Sequence, residues 1–151
     1  MTSQVLSTQV STAVQAWTRL LRATASARRC LSARLDGEHS LTVNDFEALS
    51  QLAHAEEGSM RRVDLAESLQ LTPSGVTRLL DGLEQAGLVE KASCPSDARV
   101  SYAVLTDTGR AKLEQASCSH VRAIEALFED RYSADELASL AELLGRLPGA
   151  E

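Results

Sequence analysis

Apolar positions recur along this chain every three to four residues, and polar or turn-forming residues interrupt them at intervals. Val10, Val14, Trp17, Leu21, Thr24, Leu31 and Leu35 follow that spacing, which predicts a long opening helix over about 7–35 with Gly37 as its stop. Thr42 and Asp45 are spaced as N-cap and third helical residue, and Phe46, Leu49, Leu52 and Ala53 carry a second helix to about Ala55. Glu56-Glu57-Gly58 then turns the chain. A third, short helix holds Val63, Leu65, Ala66 and Leu69, and the turn Gln70-Leu71-Thr72 joins it to a fourth. In the fourth, Thr72 is the cap and Pro73 suits the first turn. Val76, Leu79, Leu80 and Leu83 then fall at i, i+3, i+4 and i+7, so one face is buried.

The opposite face of that helix presents Ser74, Gly75, Thr77, Arg78, Asp81 and Gly82, which are small or hydrogen-bonding groups around a single forked cation. Such a face suits close approach to something polar. Gly87 ends the helix, and two β-compatible runs, 88–92 and 100–105, flank a polar loop. Thr106 caps a fifth helix with an apolar stripe through Leu113, Ala116, Val121, Ile124, Leu127 and Phe128, ending near Asp130. Ser133 and Glu136 form a capping box that opens a last helix with Leu137, Leu140, Leu144 and Leu147, ended by Pro148-Gly149. The expected fold is mainly α with a small β-hairpin wing: a winged helix-turn-helix with long flanking helices. No repeat or linker divides it, so 1–151 reads as a single domain.

Four segments carry a family likeness: Leu65-Ala66-Glu67, the stretch from Val76 to Val89, the wing Asp97-Ala98-Arg99, and Leu105-Thr106-Asp107-Thr108-Gly109. In their order and spacing they resemble the MarR family of winged-helix transcription regulators, strongly over about 41–113 and by pattern alone in the outer helices. The resemblance implies a DNA-binding unit at about 41–106 and dimerisation helices at about 3–36 and 107–148. It also implies a homodimer on a palindromic double-stranded operator, and a small-molecule effector, in this family often an anionic aromatic. The matching pocket walls are the first helix around Trp17 to Arg28, the second helix and the start of the fifth; no residue there is diagnostic of a ligand. Where the family pattern commonly has two arginines after the wing aspartate, this chain has Ala98 and then Arg99, which leaves one phosphate contact fewer.

Composition and charge refine this picture. With 44% apolar but only 3% aromatic residues, the 151-residue chain has an aliphatic core, which suits helix packing. No apolar run is long enough to span a bilayer, and the start lacks a basic and apolar signal segment, so no membrane partner and a cytoplasmic location are expected. The net charge of -6 argues against nucleic acid only until its distribution is seen. Between Ser59 and Lys112 seven cations face seven anions, and the whole acidic excess lies in the flanking segments. A locally neutral face can still bind phosphates, which respond to cations within a Debye length.

On that architecture Arg78 is the expected base reader, bidentate to guanine, with Ser74, Gly75 and Thr77 allowing close approach to phosphates or thymine methyls. Arg61, Arg62 and Lys91 are expected at phosphates. By resemblance, Arg99 enters the minor groove and Asp97 orients it. The bland alternatives are a solvated helix face and an exposed ion pair at a hairpin tip. Cys30, Cys94 and Cys118 fit neither a disulfide framework nor a zinc site, and His39, His54 and His120 lack metal-ligand spacing and read as structural or solvated. No cofactor is expected. Cys94, on the wing, is the expected exposed thiol, while Cys30 lies off the position of the family's reactive thiol. The expected function is a dimeric repressor released by an effector, not an enzyme. Two alternatives remain: a structural winged-helix dimerisation module without DNA binding, and a thiol-based redox regulator.

Overall fold

The computed structural model describes residues 11–149. In chain order it contains α1 (Thr12–His39), α2 (Val43–His54), β1 (Ser59–Arg61), α3 (Arg62–Ser68), α4 (Pro73–Gln85), β2 (Val89–Ser93), β3 (Ser101–Leu105), α5 (Asp107–Glu129) and α6 (Ala134–Leu144). The expected first turn at 7–10 lies outside the described residues.

The capping chemistry read from the sequence sets several boundaries. Thr42 and Ser133 each accept from the third helical amide while Asp45 and Glu136 answer the cap's own N–H, so both capping boxes are complete. Thr72 accepts from the Gly75 amide at 3.1 Å and Pro73 occupies the first turn of α4. At the other end Gly87 takes φ +72°, and the Leu88 amide closes on the Leu83 carbonyl at 2.9 Å.

Gly37 does not stop α1. It stays inside the helix in open space, and Ser40 supplies the left-handed residue instead, at φ 55°. The reason is packing: Leu35 and Leu41, on either side of that turn, are both 2% exposed, and the Leu41 amide bonds the Leu35 carbonyl. A second departure is β1, a strand with no counterpart in the sequence pattern. A 3-10 turn over Glu56–Gly58, with Glu57 and Gly58 both at positive φ, redirects the chain so that Ser59, Met60 and Arg61 pair antiparallel with Val104, Ala103 and Tyr102. The sheet therefore has three strands, ordered β1-β3-β2.

The core lies between α2, α3, α4 and this sheet. Leu49, Leu52, Leu65 and Leu80 are its largest fully buried side chains. α5 adds Leu113 and Ala116, and α1 adds Leu35, where α1 and α5 pack together. Gly109 fixes the joint between the winged helix and α5. A side chain there would place its Cβ 2.0 Å from the Leu88 carbonyl oxygen and 2.8 Å from Leu105 Cδ1. Thr106 tightens the same joint, donating to the Gly87 carbonyl at 2.7 Å and accepting from the Gly109 amide at 3.0 Å.

Several residues assigned to apolar stripes are not covered within one chain. Val63 on α3, which buries Leu65 and Ala66, is 67% exposed, and Val121 and Phe128 face outward from α5, which buries Leu113, Ala116, His120 and Ala123 instead. α6 buries none of its residues, and it ends at Gly145, ahead of Pro148, so Leu147 lies beyond the helix.

Candidate nucleic-acid interface

Two exposed features flank the winged-helix core: the outer face of α4 and the tip of the wing. On α4, Val76, Leu80 and Leu83 are buried, which holds the helix axis against the core and turns Ser74, Thr77, Arg78, Asp81 and Gly82 to solvent. The Thr77 hydroxyl donates back to the Pro73 carbonyl at 2.9 Å, so its methyl is the freer part of that side chain. Gly75 is half-buried, and a Cβ there would meet Thr72 Oγ1 at 3.1 Å; its smallness serves the cap. Gly82 is the helical glycine of this face with nothing within 4 Å of an added Cβ.

The wing tip is shaped by its own hydrogen bonds. Cys94 N–H donates to the Val100 carbonyl and Val100 N–H to the Asp97 carbonyl, both at 3.1 Å. Asp97 Oδ1 accepts from the Arg99 backbone N–H at 2.9 Å, while its separation from Arg99 Nε is 4.0 Å. The aspartate thus orders the loop backbone beneath the arginine, and the guanidinium extends into solvent with its side chain 96% exposed. Lys91 is exposed on β2, opposite Ala103 of β3.

The two arginines beside α3 differ from that picture. Arg61, the residue before the helix, forms a two-pronged pair with Asp64, both bonds at 2.7 Å. The hydrogen bond and then the charge of Asp64 push the guanidinium pKa further up, so Arg61 stays charged but is locally neutralised. Arg62 is half-buried, with Nη2 buried and, among the described residues, without a hydrogen-bond partner.

The thiols are placed differently from expectation. Cys94 is half-buried, whereas Cys30 on α1 and Cys118 on α5 are the exposed ones. The Cys94 thiol lies 3.1 Å from the Ser96 hydroxyl within the loop, in a hydrogen bond. That bond, with the Ser96 and Asp97 backbone amides, lowers the Cys94 pKa. His120 is buried against Phe46, ring centroids 4.4 Å apart, and its Nδ1 has no partner among the described residues. Burial lowers its pKa, against a smaller opposite pull from Glu47. His39 Nε2 shares a 2.7 Å hydrogen bond with Ser119. Among the described residues no cluster of side chains suits a metal ion, and no helix is long and apolar enough to cross a membrane.

A groove of about 370 Å³ lies where α1 ends, α4 ends and α5 begins, lined by His39, Leu41, Leu88, Thr108 and Lys112 among others. It takes in the start of α5, one of the expected walls, but not Trp17 to Arg28.

A helix-turn-helix whose second helix offers a small, polar outer face, followed by a hairpin tipped with an exposed guanidinium, defines a winged helix-turn-helix protein. A family model described as MarR family matches residues 41–101. The transcriptional repressor YetL of Bacillus subtilis is 33% identical over 107 residues, covering 71% of this chain and 64% of the relative, so the chain spans less than two thirds of that protein's length. Sco3205, a MarR family regulator from Streptomyces coelicolor solved in complex with DNA, superposes with a TM-score of 0.80 at 27% identity, covering 89% of this chain and 84% of that one. A cysteine-to-serine variant of MarR from E. coli, complexed with operator DNA, gives 0.76 at 27% identity, covering 89% and 94%. Residues 41–101 thus match the MarR family, and the fold is that of MarR family winged-helix regulators.

Proposed function

We propose that the protein is a dimeric, sequence-specific DNA-binding regulator, a repressor that leaves its operator when a small molecule binds. The observation that carries this reading is the pairing of the bare outer face of α4 around Arg78 with a wing whose Arg99 is almost wholly exposed, on a fold shared with regulators solved on DNA. In this reading α4 enters the major groove, where Arg78 spans guanine O6 and N7, and Ser74 and Thr77 lie against phosphates or a thymine methyl. Arg99 enters the minor groove, and Asp97 acts through the loop backbone. Lys91 and Arg61 serve phosphates, Arg61 at a discount because Asp64 already holds it, and Arg62 contributes through whatever part of its guanidinium stays outside.

Two such chains related by a two-fold axis place two equal readers on a palindrome, with half-site centres roughly 34–36 Å apart. The groove beside Lys112 supports an effector site: it touches both the end of α4 and the start of α5, so a bound molecule bears on the joint that sets the reader's angle. The test is a gel-shift titration with duplex DNA from beside the gene at several salt concentrations, with a scrambled duplex as control. A specific shift whose affinity falls steeply with salt is expected. Equal affinity for both duplexes, or indifference to salt, overturns the reading.

A further inference from the structure

Resting on the reading of α4 as the DNA-facing helix, we infer that Asp81 and Gly82 form a second base-reading position, one that selects cytosine at a base pair next to the one contacted by Arg78. Asp81 sits three residues after Arg78, the spacing at which the two commonly form an ion pair along a helix. They do not form one, and among the described residues the Asp81 carboxylate has no hydrogen-bond or ion-pair partner. An unpaired anion on the surface that must approach phosphates is a cost to binding unless it meets a donor. In the major groove the donors are cytosine N4 and adenine N6; adenine N6 lies beside the N7 acceptor, and guanine O6 and N7 and thymine O4 are acceptors that repel a carboxylate, so cytosine N4 is the partner that suits it best.

Gly82 supplies the approach. A glycine weakens a helix interior, and elsewhere in this fold the close-packed glycine, Gly109, is required by contact with backbone. At Gly82 the fold makes no such demand, since an added Cβ would meet nothing within 4 Å. Its missing side chain leaves room for something outside the chain. Aspartate has a short reach, and a bare backbone beside it lets the helix sink until the carboxylate arrives at a base edge.

The test is selection from a pool of duplexes with a randomised core, run with the wild type and with Asp81→Ala, Gly82→Ala and Arg78→Ala, followed by affinity measurement on the selected duplex and its single-pair substitutions. The wild type should enrich a cytosine at one position per half-site, with replacement costing on the order of ten- to a hundredfold in affinity. Asp81→Ala should erase that preference alone and bind unselected duplex more tightly, because an anion has left the interface. Arg78→Ala should erase a preference at the neighbouring pair. Gly82→Ala should raise the thermal midpoint of the protein yet weaken binding to the selected duplex. Retention of every base preference by Asp81→Ala, or loss of the same pair by both the Asp81 and Arg78 variants, overturns the inference while leaving DNA binding intact. A wild type that enriches no motif overturns the reading of α4 itself.

Discussion

At the scale of single residues, Arg78 and Arg99 have different surroundings and should fail differently. Arg78 projects from a helix fixed by three buried side chains, so its fork has a defined direction; Arg99 projects from a loop and is 96% exposed. Arg78→Ala is expected to cost about 1–3 kcal/mol and to relax choice at one base pair per half-site. Arg99→Ala should weaken binding to all duplexes and flatten the salt slope, with major-groove preference kept. Titration of both variants against single-pair substitutions at several salt concentrations separates the two, and an Arg99→Ala protein that binds as tightly as wild type removes the wing from the interface. His120 gives a second residue-level prediction. Its folded pKa is lowered, chiefly by burial, so the neutral ring is the one the fold accepts. An unfolded histidine titrates near 6.5, and the unfolded chain therefore binds the extra proton first. The stability held by the neutral ring is complete above that pH and declines as pH falls through the lowered value. Denaturant midpoints measured between pH 7.5 and 5 should drop less for His120→Leu than for the wild type. Equal drops in the two proteins count against a titrating His120.

At the scale of elements, the joint from Gly87 to Gly109 ties the reader, the wing and α5 into one body. Gly109→Ala drives a methyl into the Leu88 carbonyl, which is backbone and cannot rotate away. The expected loss is about 1–3 kcal/mol, read as a lower denaturant midpoint, whereas Gly82→Ala, on open surface, should gain up to about 1 kcal/mol. If the two substitutions shift stability alike, the close approach at Gly109 is wrong. This joint was legible only in part. The caps at Thr42, Thr72, Thr106 and Ser133 are local chemistry, a side chain and an amide three residues on, and so a sequence shows them. β1 is not local: three residues become a strand only because β3, over forty positions later, offers its free edge. Gly37 misled for the complementary reason. A glycine ends a helix where the chain must turn left-handed, and the packing of Leu35 and Leu41 put that turn at Ser40. In the site, the outer face of α4 was readable from periodicity, but the pairing of Arg61 with Asp64, the inward Nη2 of Arg62 and the bare surface at Gly82 depend on side-chain placement that spacing does not specify.

At the scale of the whole molecule, the largest unexplained feature of one chain is its exposed apolar surface. Val14, Trp17 and Leu21 share one face of α1, Val121 and Phe128 lie along α5, and Leu143, Leu144 and Leu147 are open at α6 and just beyond it. These residues lie on the outer helices, away from α4 and the wing, so covering them with a second copy leaves both readers free. Stable homodimer interfaces are large and apolar, and among the described residues most of the exposed large apolar side chains lie on these outer helices. The expected outcome in sedimentation is therefore twice the mass of one chain at micromolar concentration. Trp17, the sole tryptophan and 59% exposed within one chain, reports the same event: its emission should shift to the red on dilution as the interface opens. Leu140→Asp places a charge amid the leucines of α6 and should dissociate the dimer, with far-UV circular dichroism distinguishing dissociation from unfolding. A folded monomer carries one reader, so its affinity for a palindrome should fall to that for an isolated half-site, because the second contact is no longer intramolecular. A wild type that sediments as a monomer, or a monomeric variant that keeps full affinity for the palindrome, would show that the outer helices do not couple two readers for operator recognition.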